Sequence, residues 1–478
     1  MKKFLCLLLF VQSSFLFSQQ LEKVLPLNFK NTNDLFQVVE EDKKQVLLFF
    51  RDKNRVLTVK FNDKFEVLDS ISSSRPPKNY DDIIGYSITN NKYYSYWSTP
   101  NNKEITTQCF DFDTKKVSLK TFNLDFEKEK PVKTITVNST FYLITVVKST
   151  SILNFYVFDD GNLTKKTVDL SDHRFLSYDT KTCTLWSLLN SGTGFEGALS
   201  IQNISNDTPP SLTFSANKRK VYTNGNKLFF TFDNNKNFTQ TITINLNDFS
   251  AVSKGYNQPY LLTVNYVEDE SNSFYVNEKL IQMKLNENRL ALSVKDIDGN
   301  ELKTYEILKD KEVTFKNSDI IQENGSINKT RILDKSNQLL RKIYYEYPSM
   351  SCYYFNDIVY LTIGSVSLER SGNSSVGVIG GMHGLVGSLI ASAITSNYSI
   401  ANLNSYSNRK VVYINCLFDK DFNHVDGEVN KLAFDKLRAL SENKDDLISQ
   451  SVFKFNSKLY FGGYDKKEKS YKFFSFTD

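Results

Sequence analysis

The sequence predicts an all-β fold built from many short strands, and three observations support this prediction. Aromatic residues make up 14% of the 478 residues, with 37 Phe and 26 Tyr against only 9 Pro. Aromatic rings fit the half-buried surface of a pleated sheet. Runs of strand-forming residues recur along the chain with polar turns between them. Groups of such runs also return at a nearly constant spacing, which indicates a repeat architecture.

Each repeated group contains an apolar run, a second run that ends in an Asp or Asn turn, and a third run. The first group spans residues 44–71, as KQVLLFFRD, NRVLTVKFND and KFEVLDSI. Similar groups occupy residues 92–124 and 141–170. KLFFTFD with FTQTITINLND, and KLIQMKL with RLALSVKDIDG and ELKTYEIL, continue the pattern to Leu308. SKLYFGGYD and YKFFSFTD end the chain, so the repeat covers nearly all of it.

The polar turns at the end of the second run act as a ruler. They fall at Asn62, Asp111, Asp159, Asn203, Asn247, Asp296, Asp334, Asp419 and Asp478. Most steps measure between 44 and 49 residues. This period is typical of a β-propeller, whose four-stranded blades must stack on their neighbours to bury both faces.

The chain therefore resembles β-propeller proteins over nearly its whole mature length. It lacks a series of WD dipeptides and a Ser-x-Asp-x-Gly box, and a single Gly462-Gly463 pair does not define a kelch repeat. The resemblance implies a single propeller; the ruler allows seven to nine blades, and we expect eight. Two consecutive β-domains are the alternative.

The two ends of the mature chain look complementary. The last run, FFSFTD, is of the middle type and no outer strand follows it, whereas LEKVLPLN (residues 21–28) stands at the mature N-terminus. We predict that these segments pair. Closure of a propeller by one N-terminal strand removes free sheet edges, which otherwise promote association.

Residues 1–18 read as a secretory signal peptide, which leaves residues 19–478 as the propeller domain. MKKFLCLLLFVQSSFLFSQQ contains two lysines, an apolar core and a polar exit in the order that export requires. The alternative is a buried N-terminal element. The Phe-Ser-Gln ending resembles leaders of Bacteroidetes-type bacteria. We expect an exported protein that is periplasmic, extracellular or on the cell surface.

Several classes of chemistry are disfavoured by composition. The net charge of +5 is spread among mixed acids and bases, which argues against a nucleic-acid partner. Cys109, Cys183, Cys352 and Cys416 form no CxxC pair, so we interpret them as buried free thiols, although export would permit disulfides. The chain has 3 His and no G-x-S-x-G sequence, and we expect no catalytic nucleophile and no cofactor.

An insertion, residues 365–409, separates DIVYLTIG from its expected partner strand KVVYINCLFD. Residues 376–395 (VGVIGGMHGLVGSLIASAIT) carry no formal charge and present small residues at helical spacing, a pattern that allows close helix packing. A membrane span, a surface hairpin packed on the propeller or another copy, and a membrane-dipping or partner-binding helix are the three alternatives. We interpret His383 as a packed or capping residue rather than a ligand. The candidate contact residues are Gly377, Gly381, Gly384, Leu385 and Leu389.

Two shorter features follow the insertion. Residues 428–443 (EVNKLAFDKLRALSEN) have amphipathic spacing and predict a helix. The oxygen-bearing residues of DKDFNHVDGE form a weak calcium candidate, Asp419, Asp421, Asn423 and Asp426. The EF-hand pattern would need Gly where His424 stands, and Asp and Asn are also turn formers, which gives an ordinary strand turn as the alternative.

The expected function is that of an exported, non-enzymatic binding or scaffold protein. Its partner would be an unknown protein or glycan, and the glycine-rich insertion would be the contact element. The insertion could also touch a membrane without a conventional span. The alternative is a secreted hydrolase of the carbohydrate-active type with carboxylates at the central funnel. Desolvated carboxylates gathered in one place would favour the hydrolase.

Overall fold

The computed structural model describes residues 20–27, 34–100, 102–192, 195–261, 269–326, 329–368, 398–407, 409–442 and 446–478. The chain divides into two compact units, residues 1–75 with 430–478 and residues 76–429. Within the described ranges, no helix has the length and hydropathy needed to cross a membrane.

Strands dominate the described part of the chain. The first nine strands are β1 (Gln20–Pro26), β2 (Asp34–Glu40), β3 (Gln45–Arg51), β4 (Arg55–Phe61), β5 (Val67–Ser74), β6 (Asp82–Thr89), β7 (Lys92–Ser98), β8 (Glu104–Asp111) and β9 (Lys116–Asn123). The next eleven are β10 (Glu129–Val137), β11 (Thr140–Val147), β12 (Ile152–Asp159), β13 (Asn162–Asp169), β14 (Phe175–Leu176), β15 (Thr182–Cys183), β16 (Gln202–Ile204), β17 (Arg219–Asn224), β18 (Lys227–Phe232), β19 (Phe238–Asn245) and β20 (Ala251–Asn257). The remaining strands are β21 (Glu270–Val276), β22 (Lys279–Leu285), β23 (Arg289–Asp296), β24 (Glu301–Leu308), β25 (Ile320–Asn324), β26 (Thr330–Leu333), β27 (Tyr347–Phe355), β28 (Ile358–Val366), β29 (Lys410–Phe418), β30 (Leu447–Phe455), β31 (Lys458–Asp465) and β32 (Ser470–Phe476). The helices are α1 (Leu185–Asn190), α2 (Leu212–Ser215), α3 (Ser336–Tyr345), α4 (Tyr398–Asn404) and α5 (Ala433–Ser441).

The first unit contains two four-stranded antiparallel sheets, ordered β1-β32-β31-β30 and β2-β3-β4-β5. The N-terminal strand β1 pairs antiparallel with the C-terminal strand β32, with Leu21 opposite Phe474 and Val24 opposite Lys472. This is the predicted pairing of the two chain ends. Because β1 is largely exposed, it is held by its backbone ladder and by Glu22, whose carboxylate accepts from Ser475 Oγ at 2.6 Å.

Aromatic rings join the two sheets of the first unit. Phe65, in the turn after β4, is buried with its backbone in the left-handed region at φ 55°. Its ring centroid lies 4.8 Å from those of Tyr460 and Phe473 in the other sheet. A left-handed phenylalanine is uncommon, and burial of its ring between the sheets offsets the backbone strain.

The second unit contains five sheets and a small hairpin. Three are four-stranded and antiparallel in sequence order, β6 to β9, β10 to β13 and β21 to β24. In the sheet β16 to β20, the short strand β16 adds in parallel to β17, and the fifth sheet has the order β26-β25-β29-β28-β27. Strands β14 and β15 form a separate two-stranded hairpin.

Neighbouring sheets of this unit pack face to face through stacked rings. Phe229 of β18 stacks on Tyr275 of β21 with centroids 3.8 Å apart, and Tyr96 of β7 stacks on Phe141 of β11 at 4.8 Å. Gly85 of β6 permits the second contact, because a Cβ there would lie 2.2 Å from the Phe141 ring. Part of the aromatic content of the sequence therefore lies in contacts between sheets.

The predicted strand groups correspond to the second, third and fourth strands of the sheets. For example, residues 44–71 contain β3, β4 and most of β5, and residues 141–170 contain β11, β12 and β13. The strand that precedes each predicted group was not predicted; these strands are β2, β6, β10, β17, β21, β27 and β30. Several of them carry buried serines, asparagines or lysines, such as Ser273, Asn272 and Lys220, so they show no alternation of polar and apolar residues.

The expected number of eight blades is not confirmed. The described residues form seven sheets of four or five strands. The ruler counted two positions that do not end a middle strand. Asn203 lies in the short parallel strand β16, and Asp334 lies between β26 and helix α3.

The predicted helical segment 428–443 contains α5, which is shorter than expected. Its N-terminal end is capped by two carboxylates, because Asp435 accepts from the backbone N–H of Leu432 at 2.9 Å and Asp478 accepts from that of Ala433. The cysteines at 109, 183, 352 and 416 are free thiols, of which Cys352 and Cys416 are fully buried.

Candidate functional site

The insertion leaves and re-enters the second unit at one point of a sheet. Strand β28 ends at Val366, which pairs with Val411 of β29. Beyond this pair, the Ser367 N–H donates to the Lys410 carbonyl at 2.8 Å, and the Lys410 N–H donates to Ser367 Oγ at 2.9 Å. Arg409 Nη1 also donates to the Ser367 carbonyl at 3.0 Å. The two ends of the insertion are therefore fixed together.

The five candidate contact residues, Gly377, Gly381, Gly384, Leu385 and Leu389, lie outside the described residues, as does His383. The described part of the insertion is its return arm, which includes helix α4.

Helix α4 packs against residues 209–215, which contain α2 and are called the α2 segment. Asn402, which is fully buried, accepts from the Ser211 N–H at 2.6 Å and donates to the Pro209 carbonyl at 2.9 Å. The Tyr398 ring lies 5.4 Å from that of Phe214. The described part of the return arm therefore packs on the second unit.

The α2 segment is in turn held by β27. Ser349 Oγ donates to the Leu212 carbonyl and Ser351 Oγ donates to the Pro210 carbonyl, both at 2.6 Å. Leu212 packs with Val366 and Val411, at the point where the insertion leaves the sheet. The sheet, α2 and α4 thus form one platform at the two ends of the insertion.

Helix α3 covers the same sheet near this exit. Its residues Leu339, Leu340 and Ile343 are buried, and Ser365 Oγ of β28 donates to the Lys342 carbonyl at 3.3 Å. The strand register places Arg331 of β26 in the same cross-strand row as Ser365.

Four cations gather around α3. Arg341 and Lys342 belong to the helix, Arg331 to the edge strand and Lys410 to the first position of β29. Partial burial and repulsion from the other three cations lower the pKa of Lys342, against the attraction of Glu346. The Glu346 carboxylate pairs with Lys410 at 2.9 Å. Excess positive charge therefore surrounds the base of the insertion.

A buried polar network links β17 with its neighbours. Lys220 and Asp233 pair at 3.2 Å with both side chains fully buried, and Lys220 Nζ also donates to Asn272 Oδ1 at 2.9 Å. Burial lowers the pKa of Lys220, although Asp233 opposes this shift. Asp233 further accepts from Ser273 Oγ at 2.8 Å and from Thr239 Oγ1 at 2.7 Å. Buried charges whose hydrogen-bond partners all lie within the protein are typical of groups that stabilise the fold.

Other buried acids are equally occupied. Arg219 donates to Glu196 at 3.2 Å, with both side chains buried. Glu129 accepts from Thr145 Oγ1 at 2.6 Å and from Lys165 Nζ at 3.0 Å. Burial would raise the pKa of Glu129, but its hydrogen-bond donors hold that pKa below the usual value.

The described residues contain no group of three or more His, Cys, Asp or Glu side chains that could hold a metal ion. The buried acids discussed above are each bound by cations, hydroxyls or amides.

The calcium-candidate loop forms a strand turn. Asp419 Oδ1 accepts from the backbone N–H groups of Asp421 at 2.9 Å and Asn423 at 2.8 Å, and its other oxygen accepts from Asn423 Nδ2 at 2.9 Å. Asp426 lies 3.8 Å from His424. The hydrogen bonds that Asp419 accepts, first of all the one from the Asn423 side chain, lower the pKa of Asp419.

The turn after β23 is built in the same way. Asp296 accepts from the backbone and the side chain of Asn300, both at 2.8 Å. A repeated turn thus accounts for Asp419 and Asn423, and calcium binding at this loop stays a prediction.

Comparison with known proteins identifies no family. No family model and no curated protein matches this chain. Among solved structures, a prolyl endopeptidase is 9% identical with a TM-score of 0.33, over 94% of this chain and 46% of that one. A putative exported protein from Bacteroides fragilis is 11% identical with a TM-score of 0.27, over 84% and 95% of the two chains. Cobalt-substituted apocarotenoid oxygenase from Synechocystis is 8% identical with a TM-score of 0.28, and this chain covers 62% of it. These likenesses are too weak to support a conclusion about function.

Proposed function

We propose that the protein is an exported, non-enzymatic binding or scaffold protein in which the sheets are blades of one β-propeller. In this proposal the glycine-rich segment 376–395 is the contact element. The partner is a protein, glycan or membrane surface that carries negative charge.

The order of strands supports the propeller. Most sheets are four-stranded antiparallel meanders in sequence order, which is the construction of a propeller blade. The pairing of β1 with β32 brings both chain ends into one sheet, as expected when the last blade is completed by the N-terminal strand. Export is compatible with the same strand, because cleavage after Ser18 would leave β1 intact.

The observation that best supports a binding role is that the two ends of the insertion are fixed to the sheet. Ser367 and Lys410 join the two ends of the insertion, and Asn402 docks its return arm on the α2 segment. A contact element on a rigid platform loses less conformational freedom when it binds. Glycine disfavours a helix, and an exposed apolar segment without a partner lowers solubility. A contact role would account for both features.

The cations around the base indicate the charge of the partner. Arg331, Arg341, Lys342 and Lys410 repel one another, and a negatively charged partner surface would relieve that repulsion.

A deletion of residues 372–396 tests the proposal. The shortened chain keeps Ser367, α4 and β29, so the platform contacts described above are retained. We expect the variant to fold with an unchanged circular dichroism spectrum but to lose the membrane fraction, the oligomer or the co-purifying partner of the full-length protein. The same fractionation and size measurements on both proteins, expressed with the leader, also report export.

A matched control replaces residues 376–395 by a Gly/Ser linker of equal length. This control keeps chain length and removes only the apolar side chains. If both variants behave like the full-length protein in every fraction, the insertion is not a contact element and the proposal is wrong.

A further inference from the structure

The hairpin β14–β15 lies outside the larger sheets of the second unit. It contacts strands β19 and β20 of the sheet β16 to β20. Its first strand is fixed to β19 by Gln240, whose side chain accepts from the Leu176 N–H at 2.7 Å and donates to the Leu176 carbonyl at 2.9 Å. Asn235 Nδ2 donates to the Ser177 carbonyl at 2.6 Å, and His173 Nδ1 lies 2.7 Å from Ser253 Oγ. The hairpin is therefore rigidly placed.

A cleft of about 300 Å³ lies between this hairpin and the edge formed by β19 and β20. Its lining residues are Arg174, Phe175, Leu176, Phe238, Gln240, Thr241, Ser253, Lys254 and Gly255. The volume is at the lower end of the range for small-molecule sites, so the cleft suits a small ligand.

The lining has a definite chemical character. Two of the nine residues are cations, Arg174 and Lys254, and none is acidic. The half-buried residues Leu176 and Phe238 supply apolar surface, whereas the Phe175 ring is buried in the core beneath them. The amide of Gln240 is occupied by the hairpin backbone, and the charge of the cleft comes from Arg174.

The two cations are not equivalent. Lys254 Nζ donates to the Ile297 carbonyl at 2.9 Å and lies over the Tyr256 ring, on the face of β20 opposite Ser253 and Gly255, so its ammonium does not face the cleft. Arg174 is exposed, and its Nε donates to Thr182 Oγ1 at 3.3 Å, which orients the guanidinium. A guanidinium binds a carboxylate through two parallel hydrogen bonds.

Gly255 keeps the cleft open. A Cβ at this position would meet a single neighbour, Phe238, at 3.9 Å, and the backbone φ of Gly255 is one that other residues adopt. A larger side chain there would therefore fill the cleft without straining the strand.

We propose that this cleft binds a small carboxylic acid with an apolar body. Arg174 binds the carboxylate, and Leu176 and Phe238 contact the body. The site lies in the hairpin region of the second unit and is independent of the insertion.

Phenylacetate tests this assignment on the full mature chain, with phenylacetamide as the neutral compound of the same shape and inorganic phosphate as the bare anion. Ligand-observed NMR titration up to about 10 mM covers the weak affinities expected of so small a ligand. We expect phenylacetate to bind at least about tenfold more tightly than phenylacetamide, because a charged hydrogen-bonded pair is lost with the amide.

Two variants locate the binding. Arg174→Gln removes the charge and Gly255→Leu fills the cleft, and each is expected to weaken phenylacetate binding about tenfold or more. Lys227→Gln, an exposed lysine on β18 of the same sheet, is the control and should bind like the natural protein. Thermal unfolding of each variant confirms that it is folded.

Three results would overturn the assignment. These are no binding of phenylacetate at the highest concentration, phosphate binding as tight as that of phenylacetate, and binding unaffected by both Arg174→Gln and Gly255→Leu. The last result would place the anion elsewhere on the surface.

Discussion

The side-chain oxygen of Asn402 accepts a hydrogen bond from the backbone nitrogen of Ser211 at 2.6 Å, across 191 positions of the chain. This bond fixes the return arm of the insertion to the α2 segment, which itself rests on β27 through Ser349 and Ser351. A polar residue on the insertion thus ties it to the sheet from which it emerges.

Asn402→Ala should therefore destabilise the second unit. The change leaves the Ser211 N–H and the Pro209 carbonyl buried without their partner, which costs roughly 2 kcal/mol of unfolding free energy. Urea unfolding followed by tyrosine and tryptophan fluorescence measures the loss. Asn404→Ala, an exposed position on the same helix, is the control and should change the stability little. Equal stability of the two variants would contradict the docking of α4.

Asp233→Asn should be among the most damaging single changes in the second unit. It leaves the Lys220 ammonium buried and uncompensated, since Asp233 is its ion-pair partner at 3.2 Å. Removal of one partner of a buried pair costs about 3–5 kcal/mol. Chemical unfolding measures this cost, and the exposed Asp172→Asn is the matched control. In the double variant with Lys220→Met, part of the loss should be recovered, because no unpaired charge remains; a purely additive result would argue against the pair.

Lys133 should make the stability rise with pH. Burial lowers the pKa of Lys133 to about 7 from the ordinary value of 10.5. Between these values the unfolded chain binds the proton and the folded chain does not, so the unfolding free energy increases with pH, by up to about 1.4 kcal/mol per pH unit. Unfolding at several pH values from 7 to 10 measures the slope for the natural protein and for Lys133→Met. We expect a shallower slope in the variant, and identical slopes would show that Lys133 titrates normally.

Asp419→Ala should lower the thermal midpoint, and Asp296→Ala should do so by a similar amount, because both carboxylates close the same kind of turn. Hydrogen bonds lower the pKa of Asp419, so its contribution is present above the ordinary value of 3.8 and is lost as the pH falls. The difference between variant and natural protein should thus shrink at about pH 3.

The turn explanation predicts the same loss in EDTA and in millimolar calcium. If calcium instead raises the midpoint of the natural protein and of Asp296→Ala, but not that of Asp419→Ala, the loop binds calcium and the candidate ligands Asp419, Asp421, Asn423 and Asp426 are the residues to examine.

The strands that were predicted from sequence share a clear local signal. In β12, for example, the run from Ile152 ends in the Asp159 turn, and its neighbours β11 and β13 are equally apolar or alternating. The pairing of the chain ends was also predictable, because a final run without an outer partner and an unused N-terminal run are visible in the sequence.

The first strands gave no such signal. Lys220 and Asn272 sit in the interior only because Asp233 and neighbouring backbone groups satisfy them there, and those partners are distant along the chain. Spacing alone also did not set the number of sheets, since the chain near Asn203 departs from the repeat to form β16 on the edge of an existing sheet. The cleft beside Arg174 likewise had no sequence signature. The residues that line it come from a short hairpin and from two strands more than 60 positions further along the chain.

By itself, the sequence determined that the chain is a series of antiparallel strands with one apolar insertion, since periodicity and turn residues act over a few positions and need no distant partner. The tertiary structure alone decided which polar residues are buried, how many sheets form and where a cleft opens. Those outcomes depend on groups separated by tens to hundreds of residues, whose desolvation is compensated only when the fold brings them together.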